Sequence, residues 1–134
     1  MLFACGTQKN ELNDRHLLTE NSQVENFDIF IEKFSNDIHF QLSRINFPLK
    51  ECQYIGQYAS PCSEITIKNW THSKLNDSTK FELRKFKAND NHDFELNNHQ
   101  RVISRIESDA NNCLNYYFSL NDKKWNLTQI LRCE

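Results

Sequence analysis

The sequence predicts an α+β domain in which one N-terminal helix packs on an antiparallel β-sheet, and three observations carry that prediction. Phe27, Phe30, Ile31, Phe34 and Ile38 recur at the spacing of a single helix face. Downstream, short runs alternate apolar with polar residues between clusters of Asn, Asp and Ser, as half-buried strands do. The chain of 134 residues contains only 2 Gly and 2 Pro, so its turns must rest on Asn and Asp, whose side chains bond their own backbone and tolerate left-handed φ.

The elements follow in order. Ser22 and Glu25 form a capping-box pattern ahead of the helical stripe. The run from Phe40 to Phe47 alternates in part and reads as a first strand that Pro48 ends. Residues 49–63 include Gly56 and Pro61, show no clean period, and read as a loop. Strands are expected at Ile65–Trp70, Phe81–Phe86 and Arg101–Ile106. Leu114, Tyr116, Phe118 and Leu120 then share one strand face, and Trp125, Leu127 and Gln129 return from a turn at 121–124. A chain of this size supports one core, and residues 23–134 are assigned to it.

Composition narrows the function classes. With 38% hydrophobic, 25% charged and 12% aromatic residues the chain is expected to fold. Its 16 basic and 18 acidic residues are interspersed and leave a formal net charge of -2. Such a chain has no electrostatic reason to attract a phosphate backbone, so nucleic acid is not an expected partner.

The N-terminus carries an address. Leu2-Phe3-Ala4-Cys5-Gly6 resembles the bacterial lipobox, in which an apolar and a small residue precede the cysteine that is lipidated. A signal also needs a charged region and an apolar stretch before the motif, so Met1 is read as a late start or a truncation. Residues 1–5 are then the remnant of a lipoprotein signal, and residues 6–22, with only Leu12, Leu17 and Leu18 to bury, a polar tether. Acyl chains on Cys5 would anchor the domain at about 0.8 kcal/mol per buried methylene. The expected location is the bacterial cell envelope, lipid-anchored to a membrane.

In an oxidising compartment the other cysteines invite pairing. Cys113 and Cys133 lie nearly symmetrically about the turn at 121–124, which places them across from each other in a hairpin. Cys52 and Cys62 would then close a short loop. Four buried thiols are the alternative. No Cys-x-x-Cys or Cys/His spacing supports zinc, and neither a metal nor a cofactor is assigned.

The segment Phe27-Asp28-Ile29-Phe30-Ile31-Glu32-Lys33-Phe34-Ser35-Asn36-Asp37, with Phe40 to Leu49 after it, resembles an uncharacterised family of bacterial lipoproteins, and the hairpin from Tyr116 to Leu127 supports the resemblance. That resemblance implies a nuclear transport factor 2-like, cystatin-like cone. In such a cone a strongly curved antiparallel sheet wraps around the helix and leaves a mouth that in related folds holds apolar ligands or catalytic groups. The family carries no assigned activity, so the resemblance names no functional residue.

Carboxylate and tyrosine pairs do proton-transfer chemistry in related folds. Asp37, His39, Tyr54, Tyr58 and Tyr117 are the residue types available, although no motif joins them and catalysis is not expected. His16, His92 and His99 fall in polar stretches and read as solvated. Arg84, Lys85 and Lys87 read as a solvated face that discourages edge pairing. The sequons at Asn69, Asn76 and Asn126 match chance in an Asn-rich chain. Arg44, set among apolar residues, requires a carboxylate, and Asp37 is the nearest. Two functions stay open: binding a small apolar or amphiphilic ligand in the cone, or docking another envelope protein on the outer sheet.

Overall fold

The computed structural model describes residues 23–55, 58, 59, 62–79, 81–90, 94–106 and 112–133. Helix α1 spans Phe27–Asn36 and buries Phe27, Phe30, Ile31 and Phe34 of the expected face, whereas Ile38 lies past its end, opens the next helix and is exposed. Three of these rings meet one partner edge-on: Phe27, Phe30 and Phe34 lie 5.5, 5.7 and 5.5 Å from Phe118. Each ring so buried contributes about 1.5–3 kcal/mol. The cap differs from the expected box. Asn26, whose side chain accepts from Ile29 N–H at 3.0 Å, starts the helix, while Glu25 is engaged elsewhere and Ser22 lies outside the described residues.

Helix α2, Ile38–Ser43, replaces the first half of the expected first strand. Asp37 Oδ1 accepts from the N–H groups of His39 and Phe40 at 3.0 and 3.1 Å, and that N-cap outweighs the partial alternation after it. Strand β1, Ile45–Ile55, then runs through Pro48 and through half of the expected loop. Its register on the neighbouring strand shifts between Ile45 and Lys50, so a residue without an N–H falls where the ladder is interrupted. Leu49 and Cys52, both buried, sit on opposite faces of β1, which erases the two-residue period that a half-buried strand would show.

The later strands are β2 (Tyr58–Ala59), β3 (Ser63–Ile65), β4 (Glu82–Lys87), β5 (Gln100–Ile106), β6 (Cys113–Asn121) and β7 (Lys124–Arg132). The order across the sheet is β2-β1-β7-β6-β5-β4, with β3 also paired to β1. The sheet is mixed where an antiparallel one was expected: β1 runs parallel to β7. Of the strand expected at Ile65–Trp70 only Ile65 belongs to the sheet, and Ile67–Asn69 forms a 3-10 turn. Strands β4 to β7 fall where the alternation placed them, and the β6–β7 turn joins Asn121 to Lys124, but a register shift between Tyr117 and Phe118 brings Ile130, not the expected Gln129, to the core face with Trp125 and Leu127.

One face of the sheet carries α1 and the core. On the other, Phe94 packs on Phe86 and Tyr117 at 5.1 and 6.1 Å. Buried Ser104 and Asn115 hydrogen-bond each other there, and Asn115 also donates to Cys133 Sγ at 3.4 Å. Among the described residues no helix is long and apolar enough to cross a membrane.

Candidate functional site

The site begins at the corner between the helices and the sheet. Glu25 meets Arg44 through two hydrogen bonds of 2.6 and 2.9 Å, and it also accepts from Trp125 N–H at 2.9 Å. Arg44 in turn donates to the Trp125 carbonyl at 3.0 Å. The carboxylate partner of Arg44 is therefore Glu25, not Asp37. Asp37 is committed to capping α2, and Glu25 reaches Arg44 because its own N–H is fixed to the Lys123 carbonyl at 3.0 Å. Burial alone would raise the Glu25 pKa. The Arg44 hydrogen bond, the Trp125 N–H and the Arg44 charge outweigh it and hold the carboxyl below its ordinary value.

Away from this corner, the loop 66–79 is fastened to the helices. Gln41 is fully buried, and both ends of its amide are satisfied. Nε2 donates to the carbonyls of Phe34 and Ser73 at 2.7 and 2.8 Å. Oε1 accepts from Trp70 Nε1 and Ser73 N at 2.7 and 3.0 Å. Ser35 Oγ accepts from Leu75 N–H at 3.0 Å, and Leu75 is sealed into the core. The loop thereby stands as a wall over the far end of the sheet.

Between that wall and the sheet lies a cavity of about 500 Å³, a size suited to a small molecule. Leu114, Tyr116 and Ile130 supply apolar surface from β6 and β7, and Ile65 and Trp70 face them from the loop side. Arg132 and Glu51 form an ion pair at 3.4 Å in its lining. A second cavity of about 240 Å³ adjoins it, and the two share His72, Ser73 and Arg105. The Arg105 guanidinium lies 4.6 Å from the Phe81 ring and 6.0 Å from that of Tyr116, a placement that holds a cation over aromatic faces.

The residues considered for catalysis do not meet there. Asp37 is exposed at the helix corner, and the N–H groups of Phe40 and His39 hold its carboxyl below the ordinary range despite a smaller opposing effect of desolvation. That makes it a weak base. His39 and His99 are exposed. Tyr117 points to the opposite face of the sheet from Tyr116 and packs on Phe94. The side chains of Tyr54 and Tyr58, and all of His16, His92 and Cys5, lie outside the described residues. No group of three His, Cys, Asp or Glu is placed to hold a metal among the described residues.

Both expected cysteine pairs lie at disulfide distance and are joined: Cα atoms are 4.2 Å apart for Cys52–Cys62 and 5.0 Å for Cys113–Cys133. One pair ties β1 to the chain just before β3, and the other ties the start of β6 to the end of β7. Both fix the end of the sheet at which the cavity opens. Gln41, His72 and Arg105 escaped the sequence reading. A Gln inside a helical hexamer, a loop His and a strand Arg carry no motif, and only the Phe81 and Tyr116 contacts would have marked Arg105.

A comparison with solved structures finds the same arrangement in a nuclear transport factor 2-like protein from Bacteroides fragilis, with a TM-score of 0.56, 17% identity, and coverage of 81% of this chain and 47% of that one. The fold is nuclear transport factor 2-like. This chain spans about half the length of the matched structure. No family model matches the sequence, and no curated protein does. Nuclear transport factor 2-like folds serve both ligand binding and catalysis, so the fold leaves function to the site.

Proposed function

We propose that this domain binds a small amphiphilic molecule in the cavity beneath the 66–79 loop, where the sheet closes into the mouth of a nuclear transport factor 2-like cone. The cavity itself carries the reading: apolar Leu114, Tyr116 and Ile130 line it together with the polar side chains of His72, Arg105 and Arg132. Apolar surface supplies affinity, and a few placed polar groups fix orientation. The cavity wall is tied down through Gln41 and Ser35, so a ligand would find much of the site already formed and spend little on ordering it.

The address belongs to the same proposal. The Leu2-Phe3-Ala4-Cys5 motif and the polar stretch after it support a lipid on Cys5 and a tether that holds the domain at a bacterial envelope membrane. Ligands with apolar bodies are concentrated at such a surface. Native mass spectrometry of the protein purified from its own envelope tests both statements. The expected spectrum carries a diacyl or triacyl shift, plus a further small adduct that organic extraction removes. A bare polypeptide would overturn the anchor and the binding reading together, and a lipidated chain without an adduct would count against binding alone.

A further inference from the structure

Resting on the anchor proposed for Cys5, the face of the domain that meets the membrane follows from where the chain enters the fold. Residues 6–22 lead from Cys5 to Gln23, and Gln23 lines a groove of about 400 Å³ between the start of α1 and the β6–β7 turn. Val24 and Ile29 line the same groove and are 57% and 70% exposed, although both are apolar. Helix α1 turns Phe30, Ile31 and Phe34 into the core and Ile29 away from it. The remaining charged side chains of the groove are Glu25, Asp122, Lys123 and Lys124. Glu25 is answered by Arg44 at 2.6 Å, so the two lysines outnumber the one carboxylate left beside them, Asp122. The acidic residues next along α1 are engaged: Asp28 meets Lys85 at 3.8 Å, and Glu32 accepts from Asn76 at 3.1 Å.

We infer that the groove between α1 and the β6–β7 turn is the face on which the domain rests against an anionic lipid surface. Val24 and Ile29 enter the boundary between headgroups and acyl chains, where apolar side chains leave water. Lys123 and Lys124 lie among the headgroups, their stems along apolar surface and their charges on lipid phosphate. Two apolar and two basic side chains hold a detached domain weakly. A tether that ends in the groove makes the contact intramolecular, and the high effective concentration lets a small patch choose which face lies down. The consequence concerns the cavity. Leu114 and Ile130 line it at the other end of the β6–β7 hairpin, and β6 covers about 23 Å between Asn121 and Leu114 at the rise of an extended strand. With the turn on the bilayer, the cavity end of the sheet is held off it.

Quenching of tryptophan emission by brominated lipid tests the inference on the full chain. Cys5 is coupled to a maleimide lipid in vesicles of equal parts phosphatidylglycerol and bromine-labelled phosphatidylcholine, the other four cysteines being held in their two bridges. Because the anchor is supplied chemically, the outcome is independent of whether a cell lipidates Cys5, which the mass spectrum of the native protein decides. Ile29→Trp places a reporter in the groove, and Ile67→Trp places the same ring on the 66–79 loop, where Ile67 is 54% exposed. Neither ring has to fit the core, and Trp70 and Trp125 are common to both variants. Relative to unbrominated vesicles, Ile29→Trp should lose about half of its added emission and Ile67→Trp little. Replacing Lys123 and Lys124 by Gln in the Ile29→Trp chain should weaken the quenching. Equal quenching at the two positions, or quenching at Ile67→Trp alone, would overturn the assignment of this face. Quenching at neither would overturn the membrane as its occupant and leave the groove to a protein partner. Undiminished quenching without the lysines would overturn anionic lipid as the surface recognised.

Discussion

The Trp70 indole N–H donates to Gln41 Oε1 at 2.7 Å, joining the cavity wall to a helix from which it is separated by 29 positions in sequence. The Gln41 side chain bonds α1 through the Phe34 carbonyl and the wall through Ser73 and Trp70. Replacing Gln41 by Leu keeps its bulk and strands buried donors and acceptors on both sides. The expected loss is about 2–3 kcal/mol of unfolding free energy in urea. Trp70 emission should shift red as the wall loosens, while Trp125, buried in the core, stays as it was. An unchanged unfolding midpoint would show that the wall does not depend on this amide.

Acid should act on the opposite corner. Glu25 has a folded-state pKa below its ordinary value, set by burial that raises it and by Arg44 and the Trp125 N–H that together outweigh burial. A carboxyl depressed on folding contributes its full stability above the unfolded pKa, about 4.3 for Glu, and loses it as pH falls from there through the folded value. Stability measured by urea unfolding from pH 7 to pH 3 should therefore decline in that low window. Glu25→Gln should be less stable at pH 7 and should show a shallower decline. A parallel pair of curves would assign the acid dependence to other carboxylates.

How much of this was legible depends on what each residue answers to. The stripe from Phe27 to Phe34 and the alternation of β4 to β7 record local burial, and period alone reveals that. The stretch from Phe40 reads as strand because Phe40 and Leu42 alternate, whereas the Asp37 cap makes Ile38–Ser43 a helix. Strand β1 was half missed because Leu49 and Cys52 are both buried, one on each face, and a doubly covered strand has no period. The parallel pairing of β1 with β7 is a matter of topology that neither strand states. Of the site, Leu114 and Tyr116 follow from the alternation of β6, whereas Ile130 takes the place expected of Gln129 because the β6–β7 register shifts between Tyr117 and Phe118, and Gln41 owes its role to partners about 30 residues away.

The cysteine bridges should stabilise the cavity end of the sheet. They span 10 and 20 residues, for which chain entropy alone gives about 3 kcal/mol each. Reduction under native conditions, or Cys113→Ser with Cys133→Ser, should lower the melting temperature by several degrees and raise amide exchange at the start of β6 and the end of β7. Exchange confined to the β6–β7 turn instead would mean that the bridge is dispensable there.

The β6–β7 turn offers a gain of stability. Asn121 pairs with Lys124, which leaves a two-residue loop in which Asp122 and Lys123 both take positive φ, 50° and 65°. Such loops match the twist of the strands, and Asp accepts a left-handed backbone more readily than Lys, whose Cβ crowds the following carbonyl at about 1–2 kcal/mol. Lys123→Gly removes that crowding and gives back part of the gain through a freer unfolded chain. The Lys123 carbonyl, which accepts from Glu25 N–H at 3.0 Å, is untouched. The net expectation is an increase of about 0.5–1 kcal/mol, read as a rise of about 2–4 °C in melting temperature. Lys124→Gly serves as the control, because it frees a residue already in the extended region of β7 and should lower the melting temperature. A drop for both would mean that the Lys123 side chain contributes more to the hairpin than its backbone conformation costs.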